Sequence, residues 1–202
     1  MQEVNRMSQK YKTQTKTYRL VFSALMAAMV YIGTLIRIPL GSSKVQVANA
    51  VCVFAGFILN PVDAGVAAGL GSALYDVTLG GYDALGCVIT FISKFLMAFA
   101  AGRLLRFLIR RKGGELRGEH TPAIYLISAL SALVYVALYM LKTFLMGLTV
   151  DGLALQGVYA KMLTKLPASL INAAGATVIA PLLYWSVRPP LMKAGIIAKL
   201  NR

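Results

Sequence analysis

Acidic residues are scarce in this chain. There are 7 Asp and Glu among 202 residues, against 21 Lys and Arg, for a formal charge of +14. There is one histidine, His120, and only two cysteines, Cys52 and Cys87. One His and two Cys inside or beside apolar segments exclude a disulfide framework and a His- or Cys-rich metal site. Paired carboxylates spaced for acid–base work inside an apolar segment are absent, and so is a glycine loop followed by Lys and Ser or Thr. The chain carries no nucleotide-hydrolysing motif of its own, and a membrane-embedded enzyme finds no convergent catalytic set. No metal and no cofactor (cofactors: none) is therefore expected.

Apolar sequence is plentiful. Hydrophobic residues make up 58%, and several runs are long enough to cross a bilayer. The sequence predicts an all-α membrane protein, a bundle of six transmembrane helices with both termini cytoplasmic. The spans fall at about 18–36, 45–59, 62–79, 84–107 and 123–148, with the sixth well under way by Leu166 and running to Trp185. A polar tail (1–17) precedes this single domain (18–187), and a basic tail (188–202) follows it. Pro39 and Gly41 break the first span, Asn60 and Pro61 the second, and Pro181 is expected to kink the sixth. The opening polar stretch does not read as a cleavable signal peptide.

The basic residues do not lie on one folded face, as nucleic-acid binding would require. They gather in the N-terminal tail, around residues 110–117 and in the C-terminal tail, so no nucleic-acid partner is expected. Placing those three regions in the cytoplasm puts most Lys and Arg inside, as the positive-inside rule asks. The expected location is the plasma membrane, and three loops, at 37–44, 79–83 and 149–161, then face outward.

The stretch 69–94 organises the remainder. Gly65, Gly69, Ala73 and Asp76 share one helical face, small residues ending in a carboxylate, and small residues at this spacing let helices approach closely in lipid. Thr90 and Lys94 share a face one turn apart. Lys94 lies about 12 Å along its helix from Gly86, well inside a hydrocarbon core of about 30 Å. An ammonium at that depth marks a site or an ion pair. On the fifth span Tyr135, Tyr139 and Lys142 repeat at i, i+4, i+7; on the sixth, Lys165, Ser169 and Asn172 do so. Candidate substrate-binding residues are therefore Asp76, Thr90 and Lys94, joined by Asn49, Tyr82, Tyr139, Lys142 and Asn172. The plain alternatives are a structural Asp76–Lys94 pair, snorkelling of Lys142 and Lys165 to the headgroups, an interfacial belt role for Tyr82, and solvated loop carboxylates at Asp83 and Asp151. The excess of Lys over carboxylate leans toward a ligand with acceptor oxygens.

The residues Ile38-Pro39-Leu40-Gly41, Val45 through Asn49, Ala55-Gly56 through Gly69 to Asp76, Gly80-Gly81-Tyr82, Ile89 through Lys94 and Gly102 resemble the substrate-binding S component of energy-coupling-factor (ECF) vitamin transporters. The riboflavin-type subgroup is the most similar. Ala24-x-x-x-Ala28 is similar to the alanine motif by which S components contact their coupling subunit. The resemblance implies a six-helix, non-hydrolysing subunit. It would bind a small vitamin or precursor of the riboflavin, pyridoxine or hydroxymethylpyrimidine class at the outer face. An ECF transmembrane coupling subunit and two ATPase subunits would drive delivery. A stand-alone ion-coupled secondary transporter, with Asp76 as its ion site, is the alternative.

Overall fold

The computed structural model describes residues 2–40, 43–113 and 118–200. Helix α1 (Gln2–Leu35) leads into a hairpin of β1 (Arg37–Leu40) and β2 (Ser43–Gln46). Helices α2 (Ala48–Ile58) and α3 (Pro61–Tyr75) follow, and α3 continues into a single π turn over Asp76–Gly80. Then come α4 (Ala84–Arg111), a short 3-10 turn at Gly118–His120, α5 (Thr121–Thr149), α6 (Leu155–Lys193) and α7 (Ile196–Leu200). Among the described residues four helices are long and apolar enough to cross a membrane: Thr15–Leu35 within α1, then α4, α5 and α6.

The hairpin corrects the sequence reading, which made 37–44 a loop and began a span at Val45. The strands pair antiparallel, with Arg37 opposite Gln46 and Ile38 opposite Val45. Pro39 sits on an edge strand, where its missing N–H costs no ladder bond. Gly41, part of the quoted motif, and Ser42 lie outside the described residues. A lone hairpin is marginal in water, and α6 supplies what this one lacks. The Gln46 N–H donates to Asn172 Oδ1 at 2.7 Å, and Asn172 Nδ2 donates to the Lys44 carbonyl at 2.9 Å.

Helix α2 is buried along its whole length. Its 11 residues rise only about 16 Å, short of a hydrocarbon core. Such a short helix is tolerable because other helices, not lipid, surround it. At its far end Asn60 caps α3 by accepting from the Val62 N–H at 3.3 Å, with Pro61 in the first turn, where an N–H has no helical partner anyway. Small residues then set the spacing of α3 and α4. A Cβ on Gly65 or Gly69 would meet the rings of Phe95 and Phe91 at 2.7 Å. The face read from Gly65, Gly69 and Asp76 is thus a packing face, and Asp76 is buried at its end.

Helix α6 begins earlier and ends later than the sequence suggests. It passes through Pro167, Pro181, Pro189 and Pro190 to Lys193, because neighbouring helices and local adjustment re-satisfy freed carbonyls inside a membrane bundle. Residues 188–193, read as tail, are therefore helical. Helix α7, near the C-terminus, packs on α1 where its apolar part begins: Leu200 is buried, and Lys199 Nζ lies 4.2 Å from the Tyr18 ring centroid. That end of the bundle lies opposite the hairpin. The residues of 110–117 beyond Gly113 lie outside the described set.

Candidate functional site

At the hairpin end, β2, the end of α3, the first turns of α4 and α6 and the last turns of α5 enclose a cavity of about 200 Å³. Asp76, Thr90 and Lys94 all line it. So do Tyr82, Tyr139, Lys142 and Asn172. Asn49 stands just behind the wall, held by Lys94. Residues scattered over five elements are thus one constellation.

Lys94 is 1% exposed. Its Nζ donates to Asn49 Oδ1 and lies 4.2 Å from the Tyr135 ring centroid. Among the described residues no ion pair joins it to Asp76. The structural pair considered from the sequence does not form, because the first turn of α2 delivers Asn49 to the ammonium and α5 delivers an aromatic face. A buried cation over a ring is a strong case of its kind, about 2 kcal/mol when desolvated.

Asp76 begins the π turn, an irregularity that often marks functional positions. Thr90 lines the same cavity wall as its carboxylate, and Oδ2 is buried with no hydrogen-bond partner. Asp83 caps α4 by accepting from the Gly86 N–H at 3.1 Å and is no free loop carboxylate. Lys142 Nζ donates to the Gly86 carbonyl at 3.2 Å and lies 5.3 Å from the Tyr82 ring centroid. Lys142 and Lys165 therefore point into the cavity wall and not outward. Lys165 faces Tyr139 at 5.8 Å. Tyr135 and Tyr139 lie nearly parallel, 18° apart with centroids at 6.0 Å. Asn172 spends both amide atoms on the hairpin, so it closes the cavity by holding β2.

The sequence reading missed Lys44. On β2 its Nζ lies 5.4 Å from the Tyr82 ring and 5.3 Å from Tyr75. Partial burial pushes its pKa below the ordinary value, Arg37 adds to that, and Asp76 opposes it. Burial first, then the Asp76 charge, raises the Tyr82 phenol. Asp151 is not simply solvated; it pairs with Lys161 at 2.5 Å across the cavity mouth. Tyr135 had a sequence signal, its spacing with Tyr139 and Lys142. Lys44 had none, since only strand pairing turns it inward. Ala24 and Ala28 lie elsewhere, exposed on the outer side of α1. Among the described residues no group of His, Cys, Asp and Glu could hold a metal ion.

The profile of the family described as ECF-type riboflavin transporter, S component, matches residues 14–189. The chain belongs to that family. It is a substrate-binding S component of an ECF transporter, a multi-pass membrane protein and a transporter component, not an enzyme. The solved structure of the S component of a bacterial ECF transporter shares its fold, with a TM-score of 0.65 at 16% identity over 87% of this chain and 98% of that one. At that identity the likeness speaks to the fold. No curated protein matches the chain.

Proposed function

We propose that this S component captures a small vitamin or vitamin precursor, of the riboflavin, pyridoxine or hydroxymethylpyrimidine class, in the hairpin-end cavity. That end faces outward, both termini are cytoplasmic, and the short buried helix α2 together with α3 and its π turn complete six spans. A coupling membrane subunit docks on the Ala24 and Ala28 face, and two partner ATPases supply the work. The observation that carries this reading is a polar, aromatic-walled cavity at one end of an otherwise apolar bundle. Pockets of this kind bind by burying a ring and fixing it with a few polar groups.

One feature favours a second reading. A membrane-buried carboxylate with a free oxygen, Asp76, suits an ion-coupled secondary transporter. Uptake of labelled riboflavin, pyridoxine and hydroxymethylpyrimidine, each offered free and as its phosphate ester, separates the two. In vesicles holding this chain with its coupling subunit and ATPases, uptake of one of them should require ATP. Uptake by this chain alone in ATP-depleted vesicles would support the second reading.

A further inference from the structure

The cavity wall is unbalanced in charge. Lys161 is committed to Asp151. Lys44, Lys94, Lys142 and Lys165 also line the cavity, and Asp76 is the other carboxylate there. Among the described residues none of these four lysines has a carboxylate within ion-pair distance. Lys44 and Lys142 both stand over Tyr82, at 5.4 and 5.3 Å from its centroid. An ammonium has three donors; the hydrogen bond of Lys142 to the Gly86 carbonyl occupies one of them. The donors near Tyr82 therefore exceed the acceptors around them. Asp76 is 6% exposed and its Oδ2 has no donor. Unused donors and an unused acceptor thus share one cavity, with the Tyr135–Tyr139 pair in its wall.

We infer that, within the pyridoxine or hydroxymethylpyrimidine class, the ligand is taken as an aromatic anion: a single ring with a phosphate or carboxylate held by Lys44 and Lys142, and a ring N–H or hydroxyl donating to Asp76. This rests on the cavity being the substrate site. Size agrees, since a cavity of about 150 Å³ accepts benzene and this one measures about 200 Å³. An oxyanion between two ammonium groups makes charge-assisted hydrogen bonds, the strong kind. A neutral ring brings neither ammonium a counter-charge.

Calorimetry on the purified full chain tests this with pairs matched in shape and different in charge. The pairs are pyridine-3-carboxylate against pyridine-3-carboxamide, and pyridoxal 5′-phosphate against pyridoxal, with riboflavin as the large neutral probe. The carboxylate and phosphate pairs tell the two anions apart. The anionic member of at least one pair should bind at least tenfold tighter than its neutral partner. Lys44→Gln with Lys142→Gln should erase that preference, and Lys44→Arg with Lys142→Arg, which keeps both charges, should preserve it. A neutral probe binding as tightly as every anionic one overturns the inference, as does a preference that survives the double Gln variant, or no binding by either anion. Riboflavin binding that Asp76→Asn abolishes would overturn the anion while keeping the cavity as the site. Binding untouched by Asp76→Asn and by both lysine variants would remove the site itself.

Discussion

Helices α2 and α4 touch at both ends, by opposite means. Toward the termini end they meet backbone to backbone: a Cβ on Gly56 would lie 2.5 Å from the Ala98 carbonyl, and one on Gly102 would lie 2.9 Å from the Gly56 carbonyl. Toward the hairpin end the same helices are joined through long polar side chains, Lys94 donating to Asn49. Where only glycine fits, no cavity can exist and the pair is a fixed support. Where an ammonium and an amide bridge the gap, there is room for a pocket beside them. One helix pair thus separates scaffold from site within eight residues of α4.

The largest effect should come from the glycine contact. Gly56→Val forces two backbones apart, and overpacking of this kind costs about 1–3 kcal/mol or more. Melting temperature and monodispersity should both fall sharply, while Gly175→Ala, where nothing lies within 4 Å, should leave them unchanged or slightly raised. Equal behaviour of the two variants would erase the distinction between the ends.

Next in size is Lys94→Met. Loss of a charge-assisted hydrogen bond to ligand should weaken binding by about 1.5–3 kcal/mol, and the orphaned Asn49 should lower stability by about 1–3 kcal/mol. Asn49→Leu in the same chain should restore stability but not affinity. Affinity regained in the double variant would mean that Lys94 acts only through Asn49.

Asn172→Ala should have a smaller and local effect. Two hydrogen bonds holding β2 disappear, each about 0.5–1.5 kcal/mol net. Hydrogen exchange in 43–46 should accelerate, with the Gly56 region unaffected. Unchanged exchange would show that the hairpin closes without α6.

Smallest is a pH effect at Lys44. Its folded pKa lies below the ordinary 10.5. Between those two values the unfolded chain holds a proton that the folded one has released, so stability rises with pH across that window. Lys44→Met should flatten the rise in a pH series of melting temperatures.

Local signals reached part of this. The four-residue spacings of Gly65, Gly69, Thr90, Lys94, Tyr135, Tyr139 and Lys142 name helix faces, and those faces do converge. What no spacing could give is a choice of partner across the bundle. Lys94 meets Asn49, 45 residues away, because α2 is short and central. Asp76 shared a predicted face with the packing glycines and was the obvious carboxylate, yet its geometry leaves Lys94 to another group. The hairpin escaped for a related reason: residues 37–46 are too few to show a period, and the strand is fixed by Asn172, 126 residues from Gln46.

The central claim is that the cavity beside Lys94 and Asp76 holds the transported molecule. Mass spectrometry of the protein purified from rich medium tests it most directly, comparing the wild type with a Lys94→Met, Asp76→Asn double variant of matched monodispersity. The wild type should carry one small molecule in near-stoichiometric amount, and the variant should come through nearly empty. The same molecule at the same occupancy in both would contradict the account.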